Sequence, residues 1–194
     1  VRKDVRKVKM TKQCGDYDIL TIPGLGGSGP GHWQTLWERA HPEYRRVEQR
    51  DWNNLRLDEW VERIEVAVSM SSRPVVLVAH SFGCLAAIRC ASRIGVRGVL
   101  LVAPADPDRF GVSDQLPWHA LGFPTILVAS SNDPWLSLAR AQQIARQWGS
   151  RFINLGAYGH INAESGLGPW PDGEALVDEL RLVVGEVELT AMVA

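Results

Sequence analysis

The sequence has only three cysteines, Cys14, Cys84 and Cys90. An odd count at these spacings offers neither a disulfide framework nor a zinc-ligand pattern, which predicts a reducing compartment and a cytoplasmic location. The chain also lacks any apolar run near the roughly 18 residues needed for a membrane-spanning helix, so membrane contact is not expected. No apolar stretch follows the basic N-terminus, which argues against a secretory signal. Internal repeats, low-complexity tracts and linkers are absent too, leaving a single unit as the simplest organisation.

A strong excess of one charge is missing as well: the net charge is −1. Residues 1–12 nevertheless carry six Lys/Arg against one Asp, so the remainder is acidic. That distribution describes a short basic tail beside an acidic domain, and nucleic acid is not an expected partner. Residues 1–16 read as a flexible tail, 17–188 as one domain and 189–194 as a C-terminal tail.

What is present is a regular alternation of two patterns. Short β-branched runs, "YDILTIPG" (17–24), "PVVLVAH" (74–80), "VRGVLLVAPA" (96–105), "PTILVASS" (124–131) and "RFINLG" (151–156), have the character of buried strands. "YRRVEQRDW" (44–52) reads as an edge strand. Between them lie helical patterns over 32–40, 56–70, 82–92, 137–149 and 173–187. Strands and helices in this order predict an α/β fold: about six strands, mainly parallel, with helices on both faces. Ligands of such sheets bind beyond the carboxyl ends of the strands, which singles out loops 23–32, 79–83, 103–120, 130–136 and 157–171.

One strand-to-helix junction reads "VAHSFGCLAA". Ser81 there is flanked two residues away by Ala79 and Gly83, the small residues that a nucleophile elbow needs for strand and helix to approach closely. A serine hydroxyl needs a base. In this architecture the partners follow in the order Ser, acid, His. His160 alone follows the late strands, whereas His41 and His119 read as surface or loop residues and His80 as a packing or hydrogen-bonding group. Asp133, directly after "TILVASS", is preferred as the acid over Asp106 and Asp108; it is also placed to cap a helix starting at Pro134. Phe82 and Leu25 are the expected backbone donors to an oxyanion. Gly26, His32, Trp33 and Trp135 are expected near a substrate pocket, with Trp52, Trp118 and Trp170 as further ring candidates. The glycine-rich loop matches neither a Walker loop nor GxGxxG.

The motifs "PGLGGSGPGHWQTLWE", "QRDWNN", "VAHSFGCLAA", "LVAPADPDRF", "ASSNDPWLSLARA" and "GHINAESGLGPWPDG" together resemble the small serine hydrolases of the YdeN and retinoblastoma-binding-protein family. The resemblance spans about residues 17–182 and implies a compact α/β-hydrolase fold without a lid domain. It also implies Ser81, Asp133 and His160 as the catalytic triad, with neither cofactor nor metal. The expectation is hydrolysis of a small or medium carboxylic ester through an acyl-enzyme. The alternative is a protein-binding module on a hydrolase scaffold; a protein partner is otherwise not indicated.

Overall fold

The computed structural model describes residues 17–91 and 95–193. Six strands form one sheet: β1 (Asp18–Ile22), β2 (Arg45–Arg46), β3 (Val75–His80), β4 (Val96–Val102), β5 (Thr125–Ala129) and β6 (Arg151–Asn154). Their order is β2-β1-β3-β4-β5-β6 and every pairing is parallel. Parallel neighbours need crossovers. Helices α1 (Trp33–Ala40), α2 (Leu57–Ser69), α3 (Phe82–Ala91) and α4 (Leu138–Trp148) supply most of them, and α5 (Pro171–Val193) follows β6. The β4–β5 connection instead runs through residues 103–124 with only a 3-10 turn at Ser113–Gln115.

Alternation along the strands divides the core into two layers. Leu20, Ile22, Leu77, Ala79, Leu101 and Leu127 face α2, α3 and α4. Ile19, Val76, Val78, Leu100, Val102 and Val128 face α1 and α5. The strands are thus apolar on both sides, which is why they read as continuous apolar runs. Helix α4 has the termini its sequence implies: Ser137 accepts from Arg140 N–H at one end, and Gly149 turns left-handed at the other.

Three expectations change. Asp133 does not cap α4, because that helix starts four residues beyond Pro134 and Ser137 takes the cap. Helix α5 runs to Val193, past the residue-188 boundary drawn for the domain. The edge strand of segment 44–52 shrinks to Arg45–Arg46, since only Leu20 and Thr21 of β1 offer it partners. The basic segment 1–12 and Cys14 lie outside the described residues. Among the described residues, no helix is long and apolar enough to cross a membrane.

The chain leaves β1 toward the β2 edge, then returns to place β3 on β1's other side. That reversal opens a crevice at the carboxyl ends of β1 and β3, between the glycine-rich loop and Ser81.

Candidate active site

Ser81 leaves β3 with φ +54°, a left-handed conformation costly for a residue with a Cβ. Packing holds it there. A Cβ on Gly83 would lie 2.6 Å from the Ile22 carbonyl oxygen and would also strike that of Pro23. Helix α3 therefore starts in direct backbone contact with the end of β1, and only glycine fits. From the other side, a Cβ on Gly24 would sit 2.6 Å from Ser81 Cβ. The first loop is pressed against the serine for the same reason.

His160 and Asp133 arrive from the loops after β6 and β5. His160 Nε2 lies 2.8 Å from Ser81 Oγ, and His160 Nδ1 lies 2.9 and 3.0 Å from the two Asp133 oxygens. The Asp133 carboxylate is almost completely buried, with 2% of the side chain exposed. It also accepts from Trp135 N–H, closing a tight turn that aims it at the ring. Asn132 Oδ1 accepts from both Ser130 Oγ and Gly159 N–H, and Ser130 Oγ accepts from Tyr158 N–H. These bonds tie the acid loop to the histidine loop. Asp106 accepts from Asp108 N–H and Asp108 pairs with Arg140; among the described residues, His160 bonds to Asp133 and to neither of them.

Two residues expected at the pocket sit behind it instead. Both are buried: Trp33 lies on the apolar face of α1 that packs on the sheet, and His32 is the residue that caps that helix. His32 caps α1 through Nδ1, and its ring lies 4.7 Å from that of His80. His80 Nε2 donates to the His160 carbonyl (2.9 Å), and Trp33 Nε1 donates to the carbonyl of Ile161 (2.8 Å). Ile161 has φ +47°, so these two donors hold a strained stretch of main chain beside His160. Trp170 packs on Trp33 and Trp37, and Trp118 stacks on Trp148; neither borders Ser81. Burial also pushes the Cys84 thiol up, so it packs as a neutral group and donates to Val102 O.

Burial, then Arg46 and His160, lower the His32 pKa from 6.5 to about 4. Its ring is neutral in the fold at pH 7. Between pH 6.5 and 4 the unfolded chain binds a proton that the native state refuses, so stability falls as pH drops through that window. The loss at pH 5 should be about 2 kcal/mol, and buried His80, shifted in the same direction, adds to it. His32→Asn keeps a capping acceptor and removes the titration. Urea midpoints at pH 7 and pH 5 should therefore differ less in the variant. An equal drop in both proteins would refute this origin.

Leu25 sits between Gly24, which touches Ser81, and Gly26, whose N–H is committed to Trp52 O at 3.0 Å. Gly26 itself is exposed and faces open space rather than a pocket wall. Buried Gln34 fastens this loop by donating to Val78 O of β3 and accepting from Ser28 Oγ. The Ser28 carbonyl accepts in turn from Thr35 Oγ1 and Arg46. Phe82, as first residue of α3, has an N–H without an intrahelical acceptor, at the positive end of the helix. Leu25 and Phe82 thus each follow a residue at the elbow, Gly24 pressed on Ser81 in one case and Ser81 itself in the other. Trp135 is 49% exposed and borders a depression beside His160.

A family model described as serine hydrolase matches residues 19–179. The chain belongs to the serine hydrolase family. Within it, the chain is 42% identical to a Pectobacterium atrosepticum protein described as a YdeN-like hydrolase, with TM-score 0.85 over 87% of this chain and 92% of that one. The ydeN gene product of Bacillus subtilis shares the fold at 18% identity, TM-score 0.70, over 85% of this chain and 98% of its own. The esterase domain of a Rhodothermus marinus protein does so at 17% identity, TM-score 0.63, over 91% and 90%. No curated protein matches the chain.

This YdeN-like hydrolase carries supporting residues that sequence reading passed over: Ser130, Asn132, Gln34 and Arg46. Asn132 had a visible signal, as an amide beside the expected acid in a strand-end turn. Gln34 and Ser130 gave none, because the contacts that bring them to the site, with Val78 O and Tyr158 N–H, lie 44 and 28 residues away.

Proposed function

We propose that this serine hydrolase cleaves small or medium carboxylic esters through a Ser81–His160–Asp133 triad and an acyl-enzyme. One observation carries the reading: the two ring nitrogens of His160 bridge the Ser81 hydroxyl and the Asp133 carboxylate. The carboxylate holds the proton on Nδ1, leaving Nε2 as the base. Ser81 Oγ attacks the ester carbonyl as Nε2 takes its proton. The Leu25 and Phe82 N–H groups receive the developing oxyanion. His160 returns the proton to the departing alcohol, and water attacks the acyl-serine by the same route. Each step is served by the chain's own side chains and amides.

A fluorophosphonate probe should label Ser81, and a p-nitrophenyl ester series of small and medium acyl chains should show turnover. A protein that neither labels nor turns over any of the series would overturn the reading.

His80 acts in this scheme by position, through its bond to the His160 carbonyl. His80→Leu removes the donor and should lower kcat about 10- to 100-fold with KM little changed. His80→Gln carries an amide donor in similar reach and should recover most of the loss. Equal loss in the two variants would show that bulk, not the hydrogen bond, matters.

A further inference from the structure

The depression beside His160 has a volume of about 430 Å³. Its wall includes His160 itself, Trp135, Tyr158, Asn162 and Glu164, but neither Ser81 nor Leu25 nor Phe82. That lopsided lining assigns it a side of the reaction. The acyl carbon must sit between Ser81 Oγ and the oxyanion donors. The alcohol oxygen must leave toward His160, which protonates it. A space walled by the base, away from the oxyanion donors, therefore lies on the leaving-group side.

Its chemistry is specific. Trp135 and Tyr158 are 49% and 41% exposed, large rings presented to solvent beside the site. Glu164 is exposed, and its carboxylate makes no ion pair among the described residues. Its own loop is rigid: Asn162 accepts from Glu164 N–H and Ser165 Oγ donates to Tyr158 O. Arg109 lies over the Trp135 ring at 5.9 Å, but its Nη1 is engaged with the Pro134 and Trp135 carbonyls and it is not part of the wall. Two half-exposed aromatic rings, one of them already carrying the Arg109 guanidinium, together with a carboxylate outside any ion pair among the described residues, suit an organic cation through ring quadrupoles and direct charge attraction.

We infer that this depression is a leaving-group subsite that selects esters of cationic, ammonium-bearing alcohols. The inference rests on the hydrolase reading above and names the substrate class of that site. In the acylation step, the carbonyl carbon bonds to Ser81 Oγ and the carbon–oxygen bond to the alcohol breaks. The alcohol oxygen takes the His160 proton, and the ammonium remains between Trp135, Tyr158 and Glu164.

The test compares 3-(trimethylammonio)phenyl acetate with its uncharged isostere 3-tert-butylphenyl acetate, each rate normalised to hydroxide-catalysed hydrolysis of the same ester. The cationic ester should be favoured about tenfold in kcat/KM at low ionic strength, with the preference shrinking as salt rises. Glu164→Gln should reduce the ratio severalfold, and Glu164→Lys should bring it below one. A ratio near one in the wild-type protein, or one unchanged by either substitution, overturns the subsite while p-nitrophenyl acetate turnover leaves the hydrolase reading standing. Absence of p-nitrophenyl acetate turnover together with absence of fluorophosphonate labelling defeats the hydrolase reading, and the subsite with it.

Discussion

Ser81→Ala should lower kcat for ester hydrolysis about 10⁴- to 10⁶-fold. The variant keeps a Cβ at the φ of +54° and removes one oxygen, whose contact in the site is His160 Nε2. The backbone strain is the same in both proteins, and no core side chain changes. The melting temperature should accordingly stay within a few degrees of the parent, because the substitution removes a reactive group rather than packing. Single-turnover kinetics with a p-nitrophenyl ester and fluorophosphonate labelling measure the chemical loss, and calorimetry measures the fold. Residual activity near the parent level would place the nucleophile elsewhere. A protein partner captured equally by parent and variant, with no ester turned over by either, would favour the binding-module alternative on the same scaffold.

Gly83→Ala should be damaging out of proportion to the single methyl group it adds. Its Cβ would fall 2.6 Å from Ile22 O and closer still to Pro23 O, and both obstacles are main chain that cannot rotate away. Either α3 or the end of β1 must move. An overpacked core site costs about 1–3 kcal/mol, roughly 2–12 °C in melting temperature for a chain of this size. The catalytic cost should be larger than the stability cost. Phe82 N–H rides on α3 and Leu25 N–H on the loop after β1, so the clash drives the two proposed oxyanion donors apart. Misplacement near 1 Å costs about 100-fold in rate. kcat/KM should therefore fall about 100-fold under conditions where circular dichroism shows the variant fully folded. An unchanged melting temperature with unchanged kcat/KM would mean that the close approach is not required.

The strand and helix pattern was legible because it is local. β-branched runs of five to seven residues and helical periodicity report themselves within a short window. The parallel topology followed from their alternation. The elbow was equally plain as a pattern, since Ala79, Ser81 and Gly83 fall within five residues, although the contact that demands glycine at 83 comes from Ile22 and Pro23 at the end of β1. Chain order then singled out His160 and Asp133, which the fold brings within hydrogen-bonding distance of one another and of Ser81.

The errors cluster where burial decides the outcome. His32 and Trp33 follow a glycine-rich loop and looked like pocket residues. The structure turns both inward, where His32 caps α1 and packs on His80 while Trp33 holds Ile161 O. The contacts that draw them inward come from afar: His80 is 48 residues from His32, and Ile161 is 128 from Trp33. The Asp133 cap failed for a different reason. Pro134 resembles the first residue of a helix, but Ser137 offers a better cap, and Asp133 is held by its own turn and by His160.

The linear order of residues by itself determined the layering of the fold and pointed to Ser81, His160 and Asp133 as candidates, because each depends on a local pattern or on the sequence of strands. Only the tertiary structure decided which loop residues face the cleft and which support it from behind. It alone set the rings of Trp135 and Tyr158 beside Glu164, at the edge of His160. The physical reason is that solvent exposure belongs to the packed surface as a whole: a side chain is inside or outside according to neighbours that the chain supplies from far away.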